Sequence, residues 1–176
     1  MNFNYQIYNL DKAFNIDSFK IQIFHDKSLT LCQLNKEIYD YWLENIKIDG
    51  SNLQHVKKQT EESCLKAVNK NGYALQYVIE QTEKNCLEAV NNGHALKYVK
   101  KQIKQICLTA VNNNGYALQY VIEQTEQICL IAINKYGSAL KYVKEQTEKI
   151  CLDAIRNNGV SLKYVCLVAV KNMVMH

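Results

Sequence analysis

The side chains that could do chemistry recur at fixed intervals along this 176-residue sequence. Cys64, Cys86, Cys107, Cys129 and Cys151 form a ladder that Cys166 extends. Thiolates hold a metal ion at about 2.3 Å, whereas equivalent residues on packed helices lie about 8–10 Å apart. That spacing rules out a shared ion, and it exceeds the roughly 7 Å Cα reach of a disulfide. The cysteines therefore read as small core residues. A second ladder runs Tyr77, Tyr98, Tyr120, Tyr142 and Tyr164, with His55 on the first rung. Each tyrosine follows a helix leucine by two positions, at the margin of an apolar face. The ring can pack there while the hydroxyl stays wet, and the row is a candidate aromatic binding edge. Lys97, Lys100, Lys101 and Lys104 are spaced i, i+3, i+4, i+7. They share one face if a helix continues through Gln102, and would form a basic patch for an acidic protein or a phosphate backbone.

Enzyme chemistry finds no footing in the same inventory. His25, His55, His94 and His176 do not cluster. No H-x-x-x-H pair, nucleophile elbow or phosphate-binding glycine loop is present. The sequence assigns no catalytic residue, no metal ligand and no cofactor, and predicts a protein that is not an enzyme.

The elements that must position these ladders come from a repeat. Gly50, Gly72, Gly93, Gly115, Gly137 and Gly159 recur in steps of 22, 21, 22, 22 and 22, which signals a repeat architecture. In the unit Gly137–Asn158, Ala139, Leu140 and Val143 give one apolar edge to a first helix over about Ser138–Gln146. Thr147 then reads as an N-cap with Glu148 in the first turn. A second helix over about Glu148–Arg156 carries Ile150, Cys151, Leu152, Ala154 and Ile155 as a broad apolar face, so it is the inner helix of a hairpin. Asn157, Asn158 and Gly159 suit a left-handed C-terminal turn. Helices this short are unstable alone, and stacking buries them in a continuous core. The fold expected is all-α, an α-solenoid of helical hairpins. A leucine-rich solenoid is excluded by the lack of an L-x-L strand core.

The repeats run 50–71, 72–92, 93–114, 115–136, 137–158 and 159–176. A longer period is superimposed, because NGYALQYVIEQTE occurs at both Asn71–Glu83 and Asn114–Glu126. Residues 1–49 form an N-terminal cap segment. Alternation at Tyr5, Ile7, Phe19, Ile21 and Ile23 suggests a small β-hairpin or an extended cap over 1–27. A helix over 29–45 follows, whose Trp42 plugs the end of the core. Two repeats depart from the pattern. The third has Ile103-Lys104 where the others have Thr-Glu, so it lacks a cap. The last omits seven residues between Tyr164-Val165 and Cys166, which predicts one fused helix over about Val160–Met173 that closes the stack or pairs with a second copy.

Composition is consistent with this reading. Apolar residues make up 48% and charged residues 22%, with a net charge of +4. Such mild positive charge permits an acidic partner without demanding one. No run has the length of a membrane span, and MNFNYQIYNLDK lacks the regions of a secretory signal. Seven cysteines without C-x-x-C spacing suit a reducing compartment, so an intracellular location is expected.

The string ALKYVKEQTEKICLDAIRNNG resembles the repeats known as domain of unknown function 4116, over about residues 50–172. The combination ALxYV, QTE, ICLxA and NG recurs in that order. The resemblance implies helical repeats and an origin among giant viruses of amoebae or intracellular bacteria, with a host-cytoplasmic location for a viral protein. It implies no activity and no functional residue. The function expected is a scaffold that binds a protein partner. Nucleic acid, held by Lys and Tyr of the outer helices, is the alternative partner. The chain is expected as a monomer or as a dimer through its C-terminal helix.

Overall fold

The computed structural model describes residues 31–91 and 94–165. Every regular element among them is helical. They are α1 (Leu31–Ile48), η1 (Gly50–His55), α2 (Glu61–Lys70), η2 (Gly72–Tyr77), α3 (Glu83–Val90), η3 (His94–Tyr98), α4 (Lys104–Asn113), η4 (Gly115–Tyr120), α5 (Glu126–Lys135), η5 (Gly137–Tyr142), α6 (Glu148–Asn157) and η6 (Gly159–Tyr164), where η denotes a 3₁₀-helix. The expected β-hairpin over 1–27 lies outside the described residues. The chain divides into two compact units, 1–85 and 86–176. Within each, consecutive α-helices pack side by side and consecutive 3₁₀-helices do likewise, which is the packing of an α-solenoid.

The first helix of each hairpin is shorter and tighter than the sequence suggests. The segment expected as an α-helix over 138–146 is a 3₁₀-helix ending at Tyr142, followed by extended Val143. The i→i+3 bonds are explicit: the Ala139 N–H donates to Tyr136 O (2.8 Å) and the Val143 N–H to Leu140 O (3.0 Å). The 3₁₀ turn brings i and i+3 into eclipse, so Leu140 and Val143 both reach the core. The core lies between the 3₁₀ and α layers. Its recurring members are Leu118 and Ala117 from one side and Cys129, Ala132 and Ile133 from the other. Leu152 is exposed, so the apolar face of the second helix is narrower than expected.

The turns between repeats at Asn71, Asn114, Tyr136 and Asn158 are not left-handed. Asn71 is extended (φ −151°, ψ 108°) and serves both as C-cap of α2 and as N-cap of η2, its side chain accepting from the Tyr73 N–H. Asn114 and Asn158 do the same for Tyr116 and Val160. None of Gly50, Gly115, Gly137 or Gly159 has a positive φ. Close approach is what requires glycine: a Cβ at Gly50 would lie 2.2 Å from Ala67 O, and one at Gly115 2.4 Å from Ala132 O.

The α-helices start as the sequence indicates. Thr60 and Ser63 form a reciprocal capping box. Thr82 and Asn85 also exchange bonds (3.3 and 3.1 Å). Thr125 and Thr147 accept from the Ile128 and Ile150 N–H groups. Ile103 occupies the same N-cap geometry with no side-chain bond. Trp42 is buried against His55, the rings stacked at 5.6 Å. The fused C-terminal helix does not form: η6 ends at Tyr164 and Val165 is extended (φ −71°, ψ 130°). The stretch G-x-x-L-x-Y-V, with His55 for Tyr in the first repeat, accompanies this ending whatever follows it. Residues 166–176 lie outside the described residues.

Two substitutions test this geometry by urea denaturation. Ile103→Thr restores the missing cap and raises stability by about 0.5–1.5 kcal/mol; unchanged stability would show that the cap position is indifferent. Gly115→Ala forces a methyl into the Ala132 carbonyl and lowers stability by about 1–3 kcal/mol; a neutral result would contradict the close approach.

Candidate interaction surface

The tyrosine ladder is built by the end of each 3₁₀-helix. Tyr77 in unit one, and Tyr98, Tyr120, Tyr142 and Tyr164 in unit two, are half-buried at the last helical residue. Extended Val then turns the chain away. Tyr73 is exposed and Tyr116 half-buried. In unit two the rings join into a cluster. Tyr116 stacks on Tyr136 with centroids 4.9 Å apart and nearly parallel planes, and meets Tyr142 edge-on at 6.2 Å. The Tyr116 hydroxyl shares a 2.8 Å bond with Ser138 Oγ.

Lysines lie over these rings. Lys97 Nζ is 4.7 Å from the Tyr98 centroid, and Lys163 Nζ is 4.9 Å from that of Tyr164. Lys141 Nζ faces three rings: Tyr142 at 4.7 Å, Tyr116 at 5.6 Å and Tyr164 at 6.0 Å. A cation near an aromatic face is attracted by the ring quadrupole. Hydrogen bonding to the Tyr142 phenol, then the Tyr142, Tyr164 and Tyr116 phenols acting through charge, raise the Lys141 pKa above the usual lysine value.

The lysine patch of repeat three is not a helical face. Lys97 belongs to η3, Lys100 and Lys101 form a bend, and Lys104 opens α4; all four are exposed. The helix stops because Val99–Ile103 must carry the Gln102 side chain back to η3. Lys104 stands at the positive end of its helix dipole, where Glu61, Glu83, Glu126 and Glu148 open α2, α3, α5 and α6. It lines a groove of about 230 Å³ together with Gln102, Ile103, Cys107, Ile122 and Thr125.

The glutamines were not singled out by the sequence reading, and they tie down the ends of the 3₁₀-helices that carry Tyr77, Tyr120, Tyr142 and Tyr164. Gln124 Nε2 donates to Leu118 O (3.1 Å) in its own repeat and to Tyr142 O (2.9 Å) in the next, while its Oε1 accepts from the Lys144 N–H (3.0 Å). Gln102 makes the same bonds to Leu96 O, Tyr120 O and the Ile122 N–H. Gln59 does so with Leu53 O, Tyr77 O and the Ile79 N–H. Gln146 reaches Leu140 O and Tyr164 O. The signal was available: a glutamine stands at 59, 81, 102, 124 and 146, including the repeat that has lost Thr-Glu.

The cysteines lie beneath this ladder. Cys64, Cys107, Cys129 and Cys151 are buried, and each Sγ faces the Oε1 of its glutamine at 3.5–3.8 Å. Burial raises the pKa of the Cys64, Cys107 and Cys129 thiols, which disfavours the nucleophilic thiolate.

Gln124→Met keeps the shape and removes the bonds. It is expected to cost about 1–3 kcal/mol, because the Tyr142 carbonyl and the Lys144 N–H lose their glutamine partner. Gln119→Met, on the exposed side of η4, should stay within about 0.5 kcal/mol. Equal effects of the two in urea would remove the ladder's structural role.

The sequence matches no curated protein and no solved structure. A family model described as domain of unknown function DUF4116 matches residues 33–81, 103–147 and 125–167, more than half of the chain. The match takes in most of α1, which the resemblance seen in the sequence had left outside. With the 3₁₀-to-α unit repeated along the matched segments, the chain belongs to the DUF4116 repeat family.

Proposed function

We propose that this chain is a non-enzymatic scaffold that binds a protein partner along an extended surface. One observation carries the reading. The same L-x-Y-V stretch presents a half-buried tyrosine at each rung of unit two, and lysines lie over Tyr98, Tyr142 and Tyr164. Tyrosine offers large, rigid, amphipathic contact area at low entropic cost. Repeated along consecutive 3₁₀-helices, it suits an extended contact better than a single reacting centre. The burial of the thiols on the opposite side of the glutamines also favours a non-catalytic role.

A photo-crosslinking amino acid at position 120, with one at the exposed Lys135 as control, tests this in the native cell. Nuclease-insensitive protein adducts at 120 and not at 135 are expected. Adducts lost on nuclease treatment, with binding that falls steeply with salt, would favour nucleic acid instead. Equal labelling at both positions would remove the tyrosine edge as the binding surface.

A further inference from the structure

The tyrosine edge of unit two is not uniform, and its composition points to a class of partner. Lys141 and Lys163 are exposed, and neither pairs with a carboxylate among the described residues. Other basic groups of the unit do: Lys149 contacts Glu126 at 2.6 Å and Arg156 contacts Asp153 at 3.6 Å. Two ammonium groups without a carboxylate partner among the described residues therefore project beside three phenols, those of Tyr116, Tyr142 and Tyr164.

The state of the rings separates two kinds of acidic partner. A nucleic-acid strand bound through tyrosines relies on bases stacking on ring faces. Here one face of each ring is already engaged. Tyr116 and Tyr136 stack on each other, Lys141 lies over Tyr142, and Lys163 lies over Tyr164. The cluster offers a ligand a set of hydrogen-bond donors, the two ammonium groups with the Tyr142 and Tyr164 hydroxyls beside them, while the Tyr116 hydroxyl already shares its bond with Ser138 Oγ. Carboxylates accept from both kinds of donor, and charge-assisted bonds of this type are the strong ones. Lys141, within 6.0 Å of rings from three successive 3₁₀-helices, can engage carboxylates presented to any of these rungs.

We infer that the cluster formed by Lys141, Lys163, Tyr116, Tyr142 and Tyr164 docks an acidic, carboxylate-rich peptide segment of the partner protein. The inference rests on the scaffold reading and names the chemistry of what is bound. Binding arises at the lysines and is guided by complementary charge, so it weakens with salt.

The test measures fluorescence anisotropy with labelled oligoglutamate and with labelled oligouridylate of equal formal charge, on the full chain. Oligoglutamate is expected to bind more tightly than oligouridylate. The double variant Lys141→Glu, Lys163→Glu should weaken oligoglutamate binding by about tenfold or more, with unchanged helical circular dichroism. Lys141→Gln with Lys163→Gln gives an intermediate loss and guards against a misfolded reversal. Lys149→Glu, a control at an exposed ion pair, should change binding by less than about twofold. Tighter oligouridylate binding, no binding of either probe, or an equal loss with Lys149→Glu would overturn the assignment. Nuclease-insensitive adducts at position 120 together with any of these results would leave the scaffold intact and remove only the acidic partner.

Discussion

The glutamine amide bridging successive repeats is the interaction on which the rest of the structure depends. A 3₁₀-helix that stops after six residues leaves its last carbonyls without helical partners, and the extended residues beyond it leave N–H groups in the same condition. A part-buried backbone group without a partner costs more than a formed bond contributes. One glutamine answers for two carbonyls and one N–H, taken from two repeats. Gln124 holds Leu118 O, Tyr142 O and the Lys144 N–H together. The register between neighbours then follows, because a slip of one residue would break all three bonds at once, two of which, to Tyr142 O and from the Lys144 N–H, cross between repeats.

This ordering of energies explains what varies and what does not. Repeat three has lost both its N-cap and the acidic residue that complements the dipole, yet it retains Gln102. A cap is worth about 1 kcal/mol, a loss one repeat can absorb when its neighbours are intact. Gly50 and Gly115 obey a similarly strict demand, since the carbonyl they meet belongs to a helix backbone that cannot yield. At the last described rung no described residue makes that demand. Among the described residues nothing lies within 4 Å of a Cβ at Gly159, and Leu162 is 61% exposed where its counterparts are buried.

The exposed positions have the opposite freedom. The residue before each ladder tyrosine is Gln76, Lys97, Gln119, Lys141 or Lys163, and the one after each Val is Ile79, Lys100, Ile122 or Lys144. All of these are exposed. Charge and apolar character can change there without touching the glutamine bonds, so a rigid frame carries a surface whose chemistry differs from rung to rung. The cluster around Lys141 is one product of that freedom.

The sequence by itself determined the repeat, its period, the all-helical class, the threonine caps and the burial of Leu, Ala, Cys and Val, because these depend on local periodicity and side-chain chemistry that every repeat restates. It also located the tyrosine row and the uncapped Ile103. It could not decide that the first helix is a six-residue 3₁₀ turn, since Ala139, Leu140 and Val143 fit one face of an α-helix equally well. Nor could it show that the glycines answer to a neighbouring carbonyl instead of a left-handed turn, or that Lys97 and Lys104 lie on separate elements. Those outcomes were settled between repeats, where a glutamine side chain competes for backbone carbonyls and a helix backbone comes within contact of a Cα. Contacts of that kind join residues 17 to 20 positions apart, and no local pattern records them.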